Sequence, residues 1–155
     1  MPDNTMAEEA HEHMLNIPHS GALGMEFVSK GVDECELLIR YSEHLVGDPD
    51  RGVIHGGAIT ALLDNAAGMV ARPPEMPPEQ AAIATLDLRI DYMGSAKPGL
   101  DVHARAHCFK RTTNIAFVRA IAFVTSPDDP IATCTATFML GTRATPFVDT
   151  PPEAT

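Results

Sequence analysis

The sequence predicts an α+β domain in which one antiparallel sheet carries a single long helix. Three observations point there. Two short strand patterns open the chain, one segment near the middle has helical apolar spacing, and four further runs of strand character fill the second half. With 155 residues the chain is the size of one domain. It is long enough to bury a core without disulfides.

The elements follow in order. Residues 1–8 form a loose start, and Glu9 to Leu15 has the composition of a short helix ended near Pro18. Met25 to Lys30 is the first strand. Glu34 to Tyr41 is the second, with Cys35, Leu37, Ile39 and Tyr41 on one side. The turn-rich loop Gly47-Asp48-Pro49-Asp50-Arg51-Gly52 separates them from the helical segment, which Pro73-Pro74 and Pro77-Pro78 bring to an end. Ala84 to Tyr92 alternates with period two. Val102, Ala104, Ala106 and Cys108 alternate with His103, Arg105 and His107. Ile115 to Val124 is apolar on both sides apart from Arg119, as expected of a strand covered on both faces. Ile131 to Leu140 is the last strand. Turns at 94–99, 110–114 and 126–130 lead to the expectation of a four-strand meander.

Composition excludes several function classes. The formal net charge is −10, but four acids (Asp3, Glu8, Glu9, Glu12) crowd the first thirteen residues and two (Asp149, Glu153) lie in the Pro-rich tail. Residues 14–143 hold 15 acids and 11 bases, so the folded part is mildly acidic. Such a surface is not built for nucleic acid or an anionic membrane. Cys35, Cys108 and Cys134 are odd in number and far apart, which supports neither a disulfide framework nor a metal site. They read as buried free thiols in a reducing compartment. The acidic, polar N-terminus has no secretory pattern, so a cytoplasmic location is expected. The low-charge run Gly52 to Ala71 contains Asp64, which would cost about 2.5–3.5 kcal/mol near a bilayer centre. A membrane span is therefore not expected.

The helical segment is unusual on its second face. Ile59, Leu62, Leu63, Ala66, Ala67 and Val70 make the apolar stripe of a helix on a sheet. The opposite face carries Thr60, Ala61, Asp64, Gly68 and Ala71, small residues with one carboxylate, where a solvated face would carry Glu and Lys. Both faces are thus expected to be packed, with Asp64 at least partly buried. A buried carboxylate must be bonded or have a task. Two readings stand: Asp64 bonds a backbone neighbour or Asn65 and braces the helix, or it is a general base or nucleophile. His55-Gly56-Gly57 stands at the helix start. Two glycines permit a sharp turn and close approach of a substrate, and free N–H groups at a helix N-terminus stabilise developing negative charge. The plain alternative is a tight turn with a capping His. An anion-stabilising turn with a carboxylate two helical turns on suits acyl transfer.

These residues resemble the hotdog-fold thioesterases, in particular the phenylacetate-pathway (PaaI-like) type. The similarity runs from about residue 18 to 142. Its strongest part is Gly52-Val53-Ile54-His55-Gly56-Gly57 with Asp64 nine residues beyond His55; Thr85 to Met93 leading to Ala96-Lys97-Pro98-Gly99 is the second. The resemblance implies a single hotdog domain over 1–155, with loose tails at about 1–8 and 144–155, in which the sheet wraps a central helix. It also implies edge-to-edge pairing into a homodimer, with dimers pairing again into a homotetramer. The substrate would be an acyl-CoA held at the dimer interface, with no metal or other cofactor. The Gly57 amide would polarise the thioester carbonyl. Asp64 of the partner subunit would activate water or attack directly, Thr85 would orient the nucleophile, and His55 would be structural beside the oxyanion site. Gly56 and Asn65 would line the substrate path. Arg51, Lys110 and Arg111 are the candidate bases for the CoA phosphates. Two departures stand out. Related enzymes often carry Asn six residues before the His, where this chain has Pro49. Strict alternation also puts Thr85 with Asp87 and Arg89 on the polar side of its strand, so a bulge or the strand's end must re-aim it to reach the site.

Other residues have plainer readings. His11 and His13 fit a solvated helix better than a metal site, and His103 and His107 fit a surface. No phosphate-binding Gly loop, metal motif or nucleophile elbow is present in the sequence. The alternatives to an acyl-CoA thioesterase are a hotdog enoyl-CoA hydratase or dehydratase, and a non-catalytic acyl-CoA-binding module.

Overall fold

The computed structural model describes residues 12, 14, 16–76 and 82–142. The short helix expected over Glu9 to Leu15 lies largely outside the described residues; Glu12 and Met14 within it are helical, and Met14 is buried. His11, His13 and both outer tails lie outside them too.

Helix α1 (Pro18–Ala22) begins on proline, whose fixed φ and missing N–H suit a first helical position. It leads into strands β1 (Met25–Lys30) and β2 (Glu34–Ile39). A 3-10 turn at Glu43–Leu45 precedes a two-stranded ribbon, β3 (Val46–Asp48) and β4 (Val53–Ile54), which frames the turn-rich loop. Helix α2 (Gly56–Ala71) follows. Then come β5 (Ala82–Tyr92), β6 (Val102–Arg111), β7 (Ile115–Phe123) and β8 (Ala132–Thr142).

The main sheet has six antiparallel strands in the order β1-β2-β6-β7-β8-β5. This corrects the expected four-strand meander. Strands β6, β7 and β8 do form one, but β5 pairs with β8 at the far edge, and β6 pairs with β2. The link 93–101 carries the chain from β5, past β8 and β7, to β6 beside β2, so the consecutive strands β5 and β6 lie at opposite ends of the β6-β7-β8-β5 run. Adjacency in sequence carries no information about that crossing.

Helix α2 packs on the sheet with Ile59, Leu62, Leu63, Ala66, Ala67 and Val70 buried. The strands answer with small side chains: Ala104, Ala106, Ala116, Ala120, Ala122, Ala132 and Ala136 are buried beneath it. Small residues on both surfaces allow the helix to sit close, and the close-packed layer forms the core with Leu37, Ile39, Val102, Val118 and Phe138. From Ala58 to Ala71 no residue of α2 is exposed, and Asp64 is half-buried, as the small-residue face predicts. On β7 the inner residues are buried, whereas Ile115, Phe117 and Ile121 on the outer side are only half-covered. His103 is not a free surface residue: it stacks on Phe123 and bonds Glu36 at 2.9 Å.

Among the described residues no helix is long and apolar enough to cross a membrane.

Candidate active site

The N-terminal turn of α2 is held from three directions. His55 is the N-cap, in extended conformation, and its Nδ1 accepts the Gly57 N–H at 2.8 Å. A Cβ on residue 57 would lie 2.9 Å from that nitrogen, so glycine is required for the ring to fold over the turn. Behind the ring stands Gly47 of β3, where a Cβ would fall 2.8 Å from the His55 Cα and Cδ2. Gly47 is skipped in the β3–β4 register, which pairs Val46 with Ile54 and Asp48 with Val53. From the far side, Tyr92 at the end of β5 donates its hydroxyl to the Gly56 carbonyl at 2.6 Å.

This geometry corrects the role expected of Gly57. Its N–H is already committed to His55 and is not free to meet a substrate oxygen. The Gly56 N–H, one residue earlier, has no partner among the described residues, and as the first residue of a helix it lacks one by geometry. The free donor of the turn is therefore at Gly56.

Asp64 lies two turns further along α2. Its Oδ1 accepts the Thr85 hydroxyl at 3.1 Å. Thr85 reaches it through a bulge: in the β5–β8 register Thr85 pairs with Phe138 and Asp87 with Thr137, so Leu86 is the extra residue. Crossing the bulge reverses which side faces the helix. Ile90 and Leu88 pack against the core on one side of it, and Thr85 contacts α2 on the other. Cys134 sits within the field of the same carboxylate. Its thiol is pushed up to about 11 by burial, with the charges of Asp64 and Asp87 adding to the effect.

Four residues of α2 at intervals of four thus face β5. Gly56 and Thr60 meet Tyr92, Asp64 meets Thr85, and a Cβ on Gly68 would lie 3.4 Å from Ile83. Thr60 and Tyr92 were not picked out by sequence reasoning. The i, i+4, i+8 spacing of Gly56, Thr60 and Asp64 is a signal for the first; nothing local marks the second.

The remaining nominated residues divide. Asn65 is occupied at both ends: its Oδ1 accepts the hydroxyl of buried Ser20 at 3.2 Å and its Nδ2 donates to the Ala61 carbonyl at 2.9 Å. It braces α1 against α2, which corrects its assignment to substrate binding. Arg111 is occupied as well. Its guanidinium donates to the carbonyls of Val70 and Ala71 at the C-terminus of α2 and pairs with Asp33. There a cation complements the helix dipole and satisfies carbonyls that the helix leaves unpaired. With a further bond to the Val32 carbonyl, four of its five N–H donors are taken, so Arg111 caps the helix. Arg51 and Lys110 are exposed and make no side-chain ion pair among the described residues.

The loop that carries Pro49 is an ordered turn. The Asp48 carboxylate accepts the N–H groups of Asp50 and Arg51 at 3.1 and 3.3 Å, and its carbonyl accepts those of Arg51 and Gly52. Proline suits the second position of such a turn. The three cysteines are free and buried. Among the described residues no group of three His, Cys, Asp or Glu side chains could hold a metal.

Comparison with known proteins agrees with this geometry. The family model of the thioesterase superfamily matches residues 51–130, just over half of the chain and the stretch that holds His55, Gly56, Asp64 and Thr85. The medium/long-chain acyl-CoA thioesterase YigI of Escherichia coli is 28% identical over 140 residues, covering 83% of this chain and 88% of that protein. A crystal structure of a Pseudomonas aeruginosa protein superposes with a TM-score of 0.75 at 36% identity, covering 86% of this chain and 97% of that one. The phenylacetic acid degradation protein PaaI of Thermus thermophilus shares the fold, with a TM-score of 0.67 at 23% identity over 79% of this chain and 97% of that one.

Proposed function

This chain belongs to the thioesterase superfamily, and on that premise we propose that it hydrolyses acyl-CoA thioesters to a carboxylic acid and free CoA. It is a thioester hydrolase with the hotdog fold; the acyl-CoA substrate is the step taken here, supported by the acyl-CoA thioesterase YigI. The observation that carries the reading is the pairing of a free helix N-terminal amide at Gly56 with a half-buried carboxylate, Asp64, oriented by Thr85.

In this reading the Gly56 N–H binds the thioester carbonyl oxygen and the negative charge that gathers on it. Asp64 takes a proton from the attacking water, or attacks the carbonyl carbon itself. The tetrahedral intermediate collapses, the C–S bond breaks and CoA leaves as the thiolate, which takes up a proton. Where Asp64 itself has attacked, the acyl group stays on it as a mixed anhydride, and a water then cleaves that anhydride to release the acid and restore the carboxylate. Thr85 leaves Oδ2 of Asp64 free while it fixes Oδ1. His55 holds the turn. Arg51 and Lys110 are the bases that remain for the CoA phosphates. No metal or other cofactor enters the scheme.

The same geometry supports a site shared by two subunits. Gly56 and Asp64 are eight residues apart on one helix, a rise of about 12 Å. A carboxylate, a water and the attacked carbon span only roughly 6 Å. A second Asp64 must therefore come to each Gly56. Strand β5 is the edge strand through which it can do so: eleven residues long, unpaired on one side, with Leu86 51% and Met93 57% exposed on it and at its end. A long exposed edge is a template for pairing, and antiparallel β5–β5 pairing about a two-fold axis makes a closed dimer. Pairing of two such dimers gives the homotetramer that the resemblance implies. A reducing, cytoplasmic setting belongs to the proposal and is supported by the three free thiols.

The test is free-thiol release from straight-chain and aryl acyl-CoAs by the wild type and Asp64→Asn. We expect a loss in kcat of about a hundredfold or more in the variant, the scale of a missing general base. An unchanged rate would remove Asp64 from the chemistry. Light scattering reads the assembly, and an active monomer would overturn the two-subunit site.

A further inference from the structure

We infer that Tyr92 is a positioning residue of the oxyanion site, a role that rests on the thioesterase reading above. The turn that offers the Gly56 N–H is built from two consecutive glycines, the softest backbone available. An oxyanion donor contributes only if it is aligned before charge develops. Something must therefore hold the turn, and the peptide that joins Gly56 to Gly57 is gripped at both ends. At its N–H end, Gly57 donates to His55 Nδ1 at 2.8 Å. At its carbonyl end, Gly56 O accepts the Tyr92 hydroxyl at 2.6 Å and the Thr60 hydroxyl at 3.0 Å. The two hydroxyls lie 2.8 Å apart and carry one proton each, so when both donate to Gly56 O neither donates to the other, and when Thr60 donates to Tyr92 the Tyr92 hydroxyl alone carries the bond to the carbonyl. The Gly56 N–H belongs to the preceding peptide, whose carbonyl, His55 O, accepts the Ala58 and Ile59 N–H groups at 3.0 and 3.4 Å. With that peptide held by the helix and the next one pinned at both ends, the Gly56 N–H is the donor of the turn with no partner among the described residues.

The grip comes from outside the helix. Tyr92 ends β5, the strand that also brings Thr85 to Asp64. One strand therefore sets the direction of the amide at one end and of the carboxylate at the other. Tyr92 is 47% exposed, far more than a ring kept for core packing, and its hydroxyl is spent entirely on this turn. Its ring lies within 3.5–3.8 Å of where a Cβ on Gly56 would be, so the phenol reaches the carbonyl from alongside the residue that offers the amide.

The experiment compares wild type, Tyr92→Phe, Thr60→Val and the double variant by kcat, KM and pH profile with the acyl-CoA that the wild type turns over fastest. Tyr92→Phe keeps the ring and removes only the hydroxyl. Loss of one hydrogen bond to the turn is expected to lower kcat about tenfold, with KM within about twofold and the shape of the pH profile unchanged. Thr60→Val acts on the same carbonyl, so the double variant loses less than the product of the two single losses. Thermal unfolding of each variant separates a loose turn from a loose fold, and Thr60→Ser should recover the wild-type rate. A kcat in Tyr92→Phe within twofold of wild type overturns the inference. So does a loss that falls wholly on KM, which would make the phenol a substrate contact, or loss of the basic limb of the profile, which would make it a proton donor. Absence of thiol release by the wild type from every acyl-CoA would instead refute the thioesterase reading on which the inference rests.

Discussion

Thr85→Val tests the bulge and the carboxylate together. Valine keeps the branched shape and removes the hydroxyl that donates to Asp64 Oδ1 at 3.1 Å. A hydrogen bond to a charged group contributes about 1.5–3 kcal/mol net. Thr85 is exposed and Asp64 only half-buried, so water competes for the bond and the lower end applies. A loss of about 1.4 kcal/mol in the transition state is tenfold in rate. We expect kcat to fall about tenfold in a thiol-release assay, with KM within about twofold, because the bond aims the carboxylate and does not hold the substrate. Thr85→Ser should retain most of the activity. In the Asp64→Asn background, Thr85→Val should add nothing further, since the group it orients is gone. A wild-type kcat for Thr85→Val would refute the reasoning. So would a serine variant as impaired as the valine, which would mean that shape, not the hydroxyl, matters at this position.

Three further outcomes follow from other contacts. In Gly47→Ala the new methyl meets the backbone and ring of His55 at 2.8 Å; chemical denaturation should show a loss of about 1–3 kcal/mol, the usual cost of overpacking, together with lower activity as the His55 cap is displaced. Arg111→Ala removes the donors from the Val70 and Ala71 carbonyls and should cost about 2–3 kcal/mol of stability, while the KM for acyl-CoA in the folded variant stays within about twofold; a selective rise in KM would restore Arg111 to the CoA contacts. Burial pushes the Cys35 thiol up to about 12 and that of Cys134 up to about 11, whereas an unfolded chain releases these protons near pH 8.5. Because the unfolded state then binds fewer protons than the native one, stability should be intact below about pH 8.5 and should fall as pH rises towards those values. Denaturant titrations at stepped alkaline pH check this, and Cys35→Ala with Cys134→Ala should flatten the dependence.

Much of the fold and part of the site can be read from the chain. Strands β1, β2 and β5 to β8 show in their apolar alternation or in bounded apolar runs, and α2 shows in its apolar stripe; the short β3–β4 ribbon does not show, because it frames a stretch that reads as a turn-rich loop. Its second face of small residues correctly implies that the helix is enclosed, since solvent would select charged residues there. His55, Gly56, Gly57 and Asp64 stand out because glycine pairs and lone acids in apolar surroundings need a reason. These are local signals, written by the preferences of each residue and its near neighbours.

Other features depend on partners far along the chain. The edge position of β5 arises from its pairing with β8 instead of its sequence neighbour β6, and no residue of β5 encodes it. The bulge at Leu86 exists only in register with Phe138 and Thr137 of β8; alternation within β5 puts Thr85 on the wrong side. The change of donor from Gly57 to Gly56 turns on a side chain folding back over its own helix. Arg111 looks like a phosphate ligand until the end of α2, some forty residues earlier, claims its donors. Tyr92 is ordinary in sequence and meets Gly56 across 36 residues. Composition and periodicity thus determine that this chain is a sheet wrapped on a buried helix with an acid in it. Strand pairing and long-range contacts decide which amide is free, which hydroxyl faces the acid and which strand is left open to a second copy, because those outcomes depend on distances between residues that the chain keeps far apart.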